Sequence, residues 1–344
     1  MEAVNHPSEA INSESINYPS ITSLSDSIHR PLWSVMIPTY NGTKYLKQTL
    51  CSILEQDPGV DRMQIEVIDD CSTDDDPEAL VKEIGQGRVA FFRQPHNMGQ
   101  IKNWNTCIQR AQGHWIQILH QDDVVLPGFY RQLQAATTTD ASIGAAFCRH
   151  IYMDEEGHWQ GLSSIEQKTA GVLENWLETI AVIQRIQFPS IVVKRSTYEQ
   201  LGGFCPQAYS ASDWEMWKRI AAHYAIWYEP KPLACFRLHS ASESSRLIKS
   251  GDNIAHTYLA IEISKTYLPE STVEKLSNNA KEHYALYALN TARQMVAISD
   301  WETAFSQIQA AMKCSSSFKV KIKTLQLLQW ATSRWFLRQL KASN

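Results

Sequence analysis

The sequence lacks any run of eighteen consecutive apolar residues, about the length that a membrane-spanning helix needs. Its first residues lack a basic stretch followed by an apolar core, so they give no sign of a secretory signal peptide. The seven cysteines are scattered and form no C-x-x-C pair, which argues against a zinc site and against a disulfide framework. These absences predict a cytoplasmic protein with buried free thiols.

Acidic residues are missing from the last part of the sequence. No Asp or Glu occurs from Thr303 onward, whereas the same stretch carries seven Lys and Arg residues together with Trp330, Trp335 and Phe336. A basic, aromatic-rich helix over residues 318–341 can lie on an anionic membrane surface, so we predict peripheral contact with the inner face of a membrane. The alternative is a docked helix with a solvated basic face. The whole chain has a net charge of -4, which argues against a general nucleic-acid binder.

Three compositions follow one another along the 344 residues. Residues 1–30 are rich in Ser, Asn and Ile without a sustained period, which predicts a mobile tail. Residues 31–245 alternate short apolar runs with helical patterns, which is typical of an α/β fold with a mostly parallel sheet flanked by helices. Residues 246–344 hold helical patterns alone and predict an all-helical C-terminal extension.

The spacing of apolar residues also predicts the individual elements. We expect strands at residues 33–37, 64–68, 89–92, 114–119, 143–147 and 225–228. We expect helices at residues 43–56, 77–84, 103–111, 172–183, 196–201 and 213–223, and in the extension at 254–267, 271–298, 300–312 and 318–340.

Two adjacent carboxylates, Asp122 and Asp123, end the apolar run that begins at Trp115. Like charges this close repel each other, so the pair costs stability unless a cation or a cationic ligand binds there. In an open α/β sheet, ligands bind at the carboxyl ends of the strands. We therefore expect a divalent metal with a phosphorylated ligand at this position, and the alternative is a solvated acidic turn.

Residues that can contact a nucleotide follow the first two strands and begin a helix. Pro38 ends the first strand, and Tyr40 can present a flat ring to a base. Asp70 ends the second strand and can accept a hydrogen bond from a base or a ribose; the alternative is a cap for the helix that begins near Pro77. Lys102 lies in the first turn of a helix, where the helix dipole favours a diphosphate.

Two later clusters carry further polar residues. Asp213 lies where a helix begins, so the helix dipole favours its ionised form. Trp214 and Trp217 suit either a pocket that stacks on a sugar or ordinary core packing. His239 follows the last strand as a candidate metal ligand or phosphate contact, and the alternative is a structural histidine.

The order and spacing of these clusters resemble the family 2 inverting glycosyltransferases of GT-A fold, over about residues 33–245. The matching signatures are I-P-T-Y-N at 37–41, D-D-x-S-T-D at 69–74, N-x-G with a later N and A-x-G at 97–113, D-D with a later P at 122–127, G-G-F at 202–204 and R-x-H at 237–239. The tail and the helical extension lie outside the resemblance.

The resemblance implies a GT-A-type sheet that binds a nucleoside-diphosphate sugar, by default a UDP-sugar. A sugar would pass from this donor to an acceptor hydroxyl with inversion at the anomeric carbon. The implied acceptor is a saccharide, a lipid-linked molecule or a protein, in the synthesis of a bacterial surface polysaccharide or glycoconjugate. In the pattern of the family, Pro38, Tyr40 and Asp70 hold the nucleotide, with Asp70 on a base N–H.

The same resemblance implies a metal site and a general base. Asp123 would bind Mg²⁺ or Mn²⁺ directly or through water, and Asp122 would contact the ribose or the metal. Asp213 matches the general base, which takes the proton of the acceptor hydroxyl. His239 would lie near the metal and the diphosphate.

Two positions depart from the pattern of the family. His120 stands where the first acid of the D-x-D motif is usual, so we expect fewer carboxylates at the metal. Ser212 replaces the usual glutamate before the base, which leaves Asp213 without a like-charged neighbour to raise its pKa.

Two other functions remain open. A nucleotidyltransferase also uses acidic metal sites, but it typically has a Gly-rich phosphate loop after the first strand, and residues 38–42 do not form one. A non-catalytic nucleotide-sugar binder or scaffold would use the helical extension as its interaction surface.

Overall fold

The structure is a computed structural model that describes residues 16–25, 29–240 and 242–342, with side chains described as far as residue 334. The strands are β1 (Trp33–Thr39), β2 (Met63–Asp69), β3 (Ala90–Arg93), β4 (Trp115–Ile118), β5 (Val124–Val125), β6 (Ile143–Met153), β7 (Trp159–Leu162), β8 (Gly171–Val172), β9 (Ile191–Lys194) and β10 (Ala225–Arg237). The helices of the α/β part are α1 (Thr43–Leu54), α2 (Pro77–Gly85), α3 (Gln100–Arg110), α4 (Phe129–Thr139), α5 (Trp176–Ile180), α6 (Arg195–Leu201) and α7 (Ser212–His223). Those that follow are α8 (Glu243–Ser250), α9 (Asp252–Ser264), α10 (Val273–Ile298), α11 (Trp301–Cys314) and α12 (Phe318–Ala342).

The strands form one sheet in the order β3-β2-β1-β4-β9-β6-β10-β5, with β7 beside β6 and β8 beside β10. The first four strands of this order pair in parallel, whereas β9 pairs antiparallel with both β4 and β6. Along β1, Met36 faces one apolar core while Val35 and Ile37 face the other, so both faces of the sheet are covered. The predicted α/β fold with an all-helical C-terminal part is therefore confirmed, although the sheet is mixed outside its first half.

The parallel pairing places the ends of three strands at one edge of the sheet. Thr39 at the end of β1 is level with Asp69 at the end of β2. On the other side of β1, Met36 is level with Ile118 at the end of β4. The segments that follow β1, β2 and β4 hence meet at the same edge, which is where ligands bind in such sheets.

The prediction of one helix over residues 172–183 is wrong except for its middle part, Trp176–Ile180. Val172 belongs to β8, which pairs antiparallel with β10, and Leu173 N–H donates to the Ile226 carbonyl. Asn175 has a left-handed backbone, with a φ of 52°, and helix α5 covers only Trp176–Ile180. Pairing with a sheet edge therefore replaced the first part of the apparent helix, a contact that local periodicity does not encode.

Part of the predicted mobile tail packs on the α/β domain. Ile21 is buried, and the Pro19 carbonyl accepts a hydrogen bond of 2.7 Å from Gly203 N–H. The Thr22 carbonyl accepts one of 2.9 Å from the Arg195 guanidinium. Residues 16–25 thus differ from the prediction, whereas residues 1–15 and 26–28 lie outside the described part of the chain.

Helix α9 of the C-terminal part packs directly on α7. Lys218, which is fully buried in α7, donates to the Ala260 carbonyl of α9 at 2.8 Å. Ala260, Ile261 and Ile263 belong to the same apolar core as one face of the sheet. The helices after residue 245 therefore share a core with the α/β part. Within the described residues, no helix is both long and apolar enough to cross a membrane.

Candidate active site

Hydrogen bonds connect the segments that follow β1, β2 and β4. Tyr40 N–H donates to the Gln121 side chain at 2.9 Å, which ties the end of β1 to the segment after β4. Asn41 N–H donates to Ser72 Oγ at 2.9 Å, and Thr73 N–H donates to Asn41 Oδ1 at 2.9 Å. The sequence clusters predicted to meet at this edge do meet there.

The residues predicted to contact the nucleotide differ in exposure. Pro38 is buried within β1, while the Tyr40 side chain is 44% exposed at its end. Lys102 is exposed in the first turn of α3. Tyr40 and Lys102 are therefore free of the core and accessible to a ligand, whereas Pro38 shapes the strand end.

Asp70 is buried and holds the loop that precedes α3. One carboxylate oxygen accepts the N–H of Met98 at 2.7 Å, and the other accepts that of Gly99 at 2.9 Å. Gly99 begins α3 with a φ of 84°, which favours glycine. Burial raises the pKa of Asp70, and the two backbone N–H donors oppose that shift. Its neighbour Asp69 is ion-paired with the Arg93 guanidinium at 2.7 Å, so the two acids have separate partners.

Three side chains after β4 form a cluster that could hold a metal ion. One ligand atom each from His120, Asp122 and Asp123 lies within 4.8 Å of the other two. The imidazole of His120 stacks on Trp104, with ring centroids 5.4 Å apart, and lies 4.4 Å from the ring of Phe188. His120, which stands where the family usually has an acid, therefore still presents a ligand atom to this cluster.

Two atoms of this cluster are buried without a hydrogen-bond partner. Asp123 is 1% exposed; its Oδ1 accepts Arg237 N–H at 2.9 Å, but Oδ2 has no partner. His120 Nε2 has none either. Burial raises the pKa of Asp123, as does the adjacent Asp122, and burial lowers the pKa of His120. A cation bound by carboxylate and neutral imidazole would satisfy both atoms, so these residues fit a divalent metal.

His239 contacts Asp122 and lies outside this cluster. Its Nε2 is 2.9 Å from Asp122 Oδ2. Burial alone would raise the pKa of Asp122, but the hydrogen bond with His239 lowers it overall. Arg237 fixes the same loop, because its Nε donates to the Asp122 carbonyl at 2.8 Å. The structure thus places His239 where it can orient Asp122, and a direct bond from His239 to the metal remains a prediction.

Asp213 lies at the start of helix α7. Its Oδ1 accepts Trp214 N–H at 2.6 Å, and its Oδ2 accepts Gln184 Nε2 at 3.0 Å. Burial raises the pKa of Asp213 to about 6. Although the glutamate expected before it is absent, burial supplies the shift that a like-charged neighbour would have given. Above pH 6 the carboxylate is ionised and able to accept a proton.

Comparison with known proteins gives the family. The sequence model described as glycosyl transferase family 2 matches residues 34–199. The uncharacterized protein MT1568 of Mycobacterium tuberculosis is 30% identical over 245 residues, which cover 65% of this chain and 73% of that protein. The chain belongs to glycosyltransferase family 2.

Solved structures agree with this glycosyltransferase in fold. The structure of S. aureus TarS 1–349 in complex with UDP-GlcNAc has a TM-score of 0.62 and 17% identity, covering 88% of this chain and 87% of that one. The mannosyltransferase PcManGT from Pyrobaculum calidifontis, in complex with GDP-Man and Mn²⁺, has a TM-score of 0.51 and 18% identity, covering 91% of each chain. The likeness confirms the GT-A-type fold of the family 2 enzyme.

Sequence reasoning about this glycosyltransferase missed two site residues. The sequence predicts fewer carboxylates at the metal because of His120, whereas the structure shows that its imidazole itself lies in the cluster with Asp122 and Asp123. Gln184, which binds Asp213, gave no signal in the sequence, because it lies 29 residues away in an irregular segment. Trp214 and Trp217 are each 2% exposed, so they pack in the core and are closed to a sugar.

Proposed function

We propose that this glycosyltransferase moves a sugar from a UDP-sugar to an acceptor hydroxyl with inversion, and that transfer depends on Mn²⁺ or Mg²⁺. The observation that carries the proposal is the pair of buried, unpartnered ligand atoms on His120 and Asp123. They lie at the same edge of the sheet as Tyr40 and Asp70. The acidic cluster suits a cation, and a bound cation would attract an anionic nucleotide to this edge, where ligands bind in such sheets.

His120, Asp122 and Asp123 would hold the metal. When bound, a divalent ion stabilises the negative charge that develops on the departing nucleoside diphosphate. An imidazole nitrogen beside carboxylates suits Mn²⁺ better than Mg²⁺, because Mg²⁺ prefers oxygen ligands. A solved structure of similar fold, PcManGT, contains Mn²⁺.

The donor nucleotide would lie along the ends of β1 and β2. The exposed ring of Tyr40 can stack on the base, with Pro38 shaping the turn beneath it. Asp70 keeps a free lone pair on each oxygen for a base N–H, despite its two backbone donors. Lys102 and the first turn of α3 can meet the diphosphate, and Asp122 the ribose. UDP is our choice because TarS was solved with UDP-GlcNAc.

Asp213 would act as the general base. The acceptor O–H gives its proton to the Asp213 carboxylate while its oxygen forms a bond to the anomeric carbon. The bond from that carbon to the diphosphate oxygen breaks, and its electron pair leaves with UDP. One displacement of this kind inverts the anomeric centre, by the logic of inverting glycosidases. Gln184 holds one oxygen of the carboxylate and so fixes its direction.

Two measurements test the proposal. A thermal-shift screen of UDP, dTDP and GDP, each with and without Mn²⁺, should show a metal-dependent shift selective for UDP. Asp213→Asn should keep that shift and lose transfer. Transfer by the asparagine variant at the wild-type rate would exclude Asp213 as the base. A nucleotide shift in wild type with no transfer to any saccharide, lipid-linked or protein acceptor would favour the non-catalytic binder.

We also propose that the enzyme works on the inner face of a membrane, in the synthesis of a surface polysaccharide or glycoconjugate. Helix α12 buries Val320 and Leu327 against its neighbours. On its opposite side Phe318, Ile322 and Leu325 form an outward apolar stripe, with exposed fractions of 79%, 36% and 67%. The chain from Thr303 onward has no acid, so this surface suits anionic lipid. All seven cysteines are free thiols, as in a reducing compartment.

The membrane proposal is tested by sedimentation with vesicles of phosphatidylglycerol or of phosphatidylcholine. The double variant Phe318→Ser and Leu325→Ser removes the outward stripe and leaves the buried face of α12 intact. We expect it to sediment less than wild type with phosphatidylglycerol. Val60→Ser, a change at a 71% exposed position of the α/β part, is the matched control. Equal sedimentation of wild type and the double variant with phosphatidylglycerol vesicles would contradict the membrane proposal.

A further inference from the structure

Tyr209 has an unusual backbone conformation for a residue with a β-carbon. Its φ is 47° and its ψ is -130°, inside the short 3-10 segment Pro206–Ala211 that leads into α7. L-residues rarely adopt such angles, and a conformation of this kind persists only when the surroundings enforce it. The segment ends where α7 begins, and Asp213 lies in the first turn of α7. The contacts that hold Tyr209 therefore also hold the chain that leads to Asp213.

Two contacts hold Tyr209 in place, and a third holds the residue that follows it. Its ring stacks on the imidazole of His256 in α9, with centroids 4.8 Å apart and planes 15° from parallel. His256 is buried, and its Nδ1 is 2.8 Å from Ser210 Oγ. The Tyr209 carbonyl accepts a hydrogen bond of 2.7 Å from Ser212 Oγ. Helix α9 therefore fixes both the ring and the adjacent residue of the segment.

The support beneath this ring is rigid. One turn beyond His256, the Ala260 carbonyl of α9 accepts a hydrogen bond from the buried Lys218 of α7. Helix α9 is thus attached to the helix that begins at Ser212 and Asp213. Tyr209 and Asp213 consequently keep a fixed relation to each other.

Despite this support, Tyr209 remains 43% exposed. One face of its ring lies on His256, and the exposed part is open to a ligand. The neighbouring Trp214 and Trp217 are buried and closed to one. Tyr209 is therefore the aromatic side chain that this segment offers to solvent, four residues before Asp213 in the chain.

We propose that Tyr209, with His256 beneath it, is an acceptor platform on which the pyranose ring of a saccharide acceptor stacks. The C–H face of a pyranose is apolar and slightly positive, and the face of an aromatic ring is slightly negative, so the two attract each other and bury apolar area. Because the segment that carries Tyr209 runs directly into α7, we infer that a sugar stacked there would present a hydroxyl to Asp213, in the first turn of that helix. This inference rests on the proposed function and narrows the acceptor to a saccharide; Tyr209 binds the acceptor, and His256 is a positioning residue.

Saturation-transfer NMR of the full-length protein tests the platform directly. The probes are methyl β-D-glucopyranoside, methyl β-D-galactopyranoside and the acyclic polyol ribitol, which has no ring face to stack. We expect wild type to saturate the pyranosides in preference to ribitol. Tyr209→Gly should lower the pyranoside signal by about tenfold, the loss of one aromatic stacking contact. Glycine tolerates the backbone angles at position 209, so this variant should fold.

Further variants separate stacking from a general structural effect. Tyr209→Phe and Tyr209→Trp should keep the pyranoside signal, because each retains a ring. His256→Ala should weaken it, and His256→Phe should restore it, since phenylalanine keeps the stacking surface. Phe305→Ala, which removes an aromatic that is 61% exposed on α11, is the matched control and should change nothing.

The platform is rejected if wild type saturates neither pyranoside, if ribitol is saturated as strongly, or if Tyr209→Gly binds like wild type. None of these probes needs the donor. The metal-dependent thermal shift with UDP is measured on the same samples and tests the donor site alone. Loss of the UDP shift with a retained, Tyr209-dependent pyranoside signal would therefore count against the donor assignment and leave the platform supported.

Discussion

Replacing Asp213 with asparagine should stabilise the protein while it removes catalysis. In the folded protein, burial raises the pKa of this carboxyl from 3.8 to about 6. Ionised Asp213 is therefore less favourable in the folded state than in the unfolded state. Each pKa unit corresponds to about 1.4 kcal/mol, so ionisation costs about 3 kcal/mol of folding free energy at pH 8. Asparagine carries no charge and avoids this cost.

The sign and the pH window follow from the two pKa values. Because the folded pKa is the higher one, the folded state binds more protons between pH 3.8 and 6, and stability falls as pH rises through that range. At pH 4.5 the cost is only about 1 kcal/mol, since Asp213 is mostly protonated in the folded protein. Asparagine also loses about 1 kcal/mol, because its amide N–H₂ cannot accept the hydrogen bond that one carboxylate oxygen now accepts.

The net expectation for Asp213→Asn is a gain of about 2 kcal/mol at pH 8 and about none at pH 4.5. For a chain of this length, 2 kcal/mol corresponds to a rise in Tm of about 3 °C. The same variant should lower kcat by about 10²–10⁴-fold, the usual contribution of a general base. Thermal unfolding at the two pH values and a UDP-release assay with acceptor measure both effects.

The matched control is Gln184→Leu, which removes the hydrogen bond from the Gln184 amide but keeps the carboxylate. This variant should raise the pKa of Asp213 further and so move the pH profile of the rate to higher pH. It should not show the stability gain at pH 8, because the carboxylate is retained. The reasoning is refuted if Asp213→Asn is less stable than wild type at pH 8. It is refuted equally if the gain is the same at both pH values, since a charge penalty must vanish on protonation.

Three further predictions concern the base, the metal and the G-G-F turn. The kcat/KM of wild type should fall tenfold per pH unit below about pH 6 as Asp213 is protonated, and a flat profile from pH 5 to 8 contradicts this. His120→Ala should weaken Mn²⁺ binding by about tenfold or more in calorimetry. His120→Asp, which restores the usual acid, should keep Mn²⁺ binding. Equal Mn²⁺ affinity of His120→Ala and wild type would contradict the assignment of His120 to the metal site. Gly203→Ala should lower the free energy of unfolding by about 1–3 kcal/mol, because its methyl would lie 2.3 Å from Asn105 Oδ1. Gly161→Ala, with open space at its Cβ, is the denaturation control, and equal stability of the two variants contradicts the packing argument.

The strand ends illustrate what short-range pattern can predict. The apolar runs that finish near Pro38, Asp70 and Asp122 indicated three strands, each followed by polar residues. Parallel pairing then required these ends to meet. The hydrogen bonds of Tyr40 with Gln121 and of Asn41 with Ser72 show that they do. Both steps depend on local alternation and on a general rule of sheets, so they needed no tertiary information.

Contacts between distant residues decided the rest. Sequence spacing favoured a helix over residues 172–183, but backbone pairing with β10, more than fifty residues later, gave a strand and a short helix. Distant residues likewise decided the pKa of Asp213. Its immediate neighbour Ser212 indicated no shift, and burial among distant segments raises its pKa.

The sequence by itself determined the family, the α/β class, the helical C-terminal part and most of the polar residues of the site, because motif spacing and apolar periodicity are local properties. Only the tertiary structure decided that His120 joins Asp122 and Asp123, with its Nε2 buried and unpartnered and its ring packed against those of Trp104 and Phe188. Only the fold, likewise, brought α9 beneath Tyr209. The reason is physical: ligand geometry, pKa and ring orientation depend on which atoms surround a side chain in space, and those atoms come from remote parts of the chain.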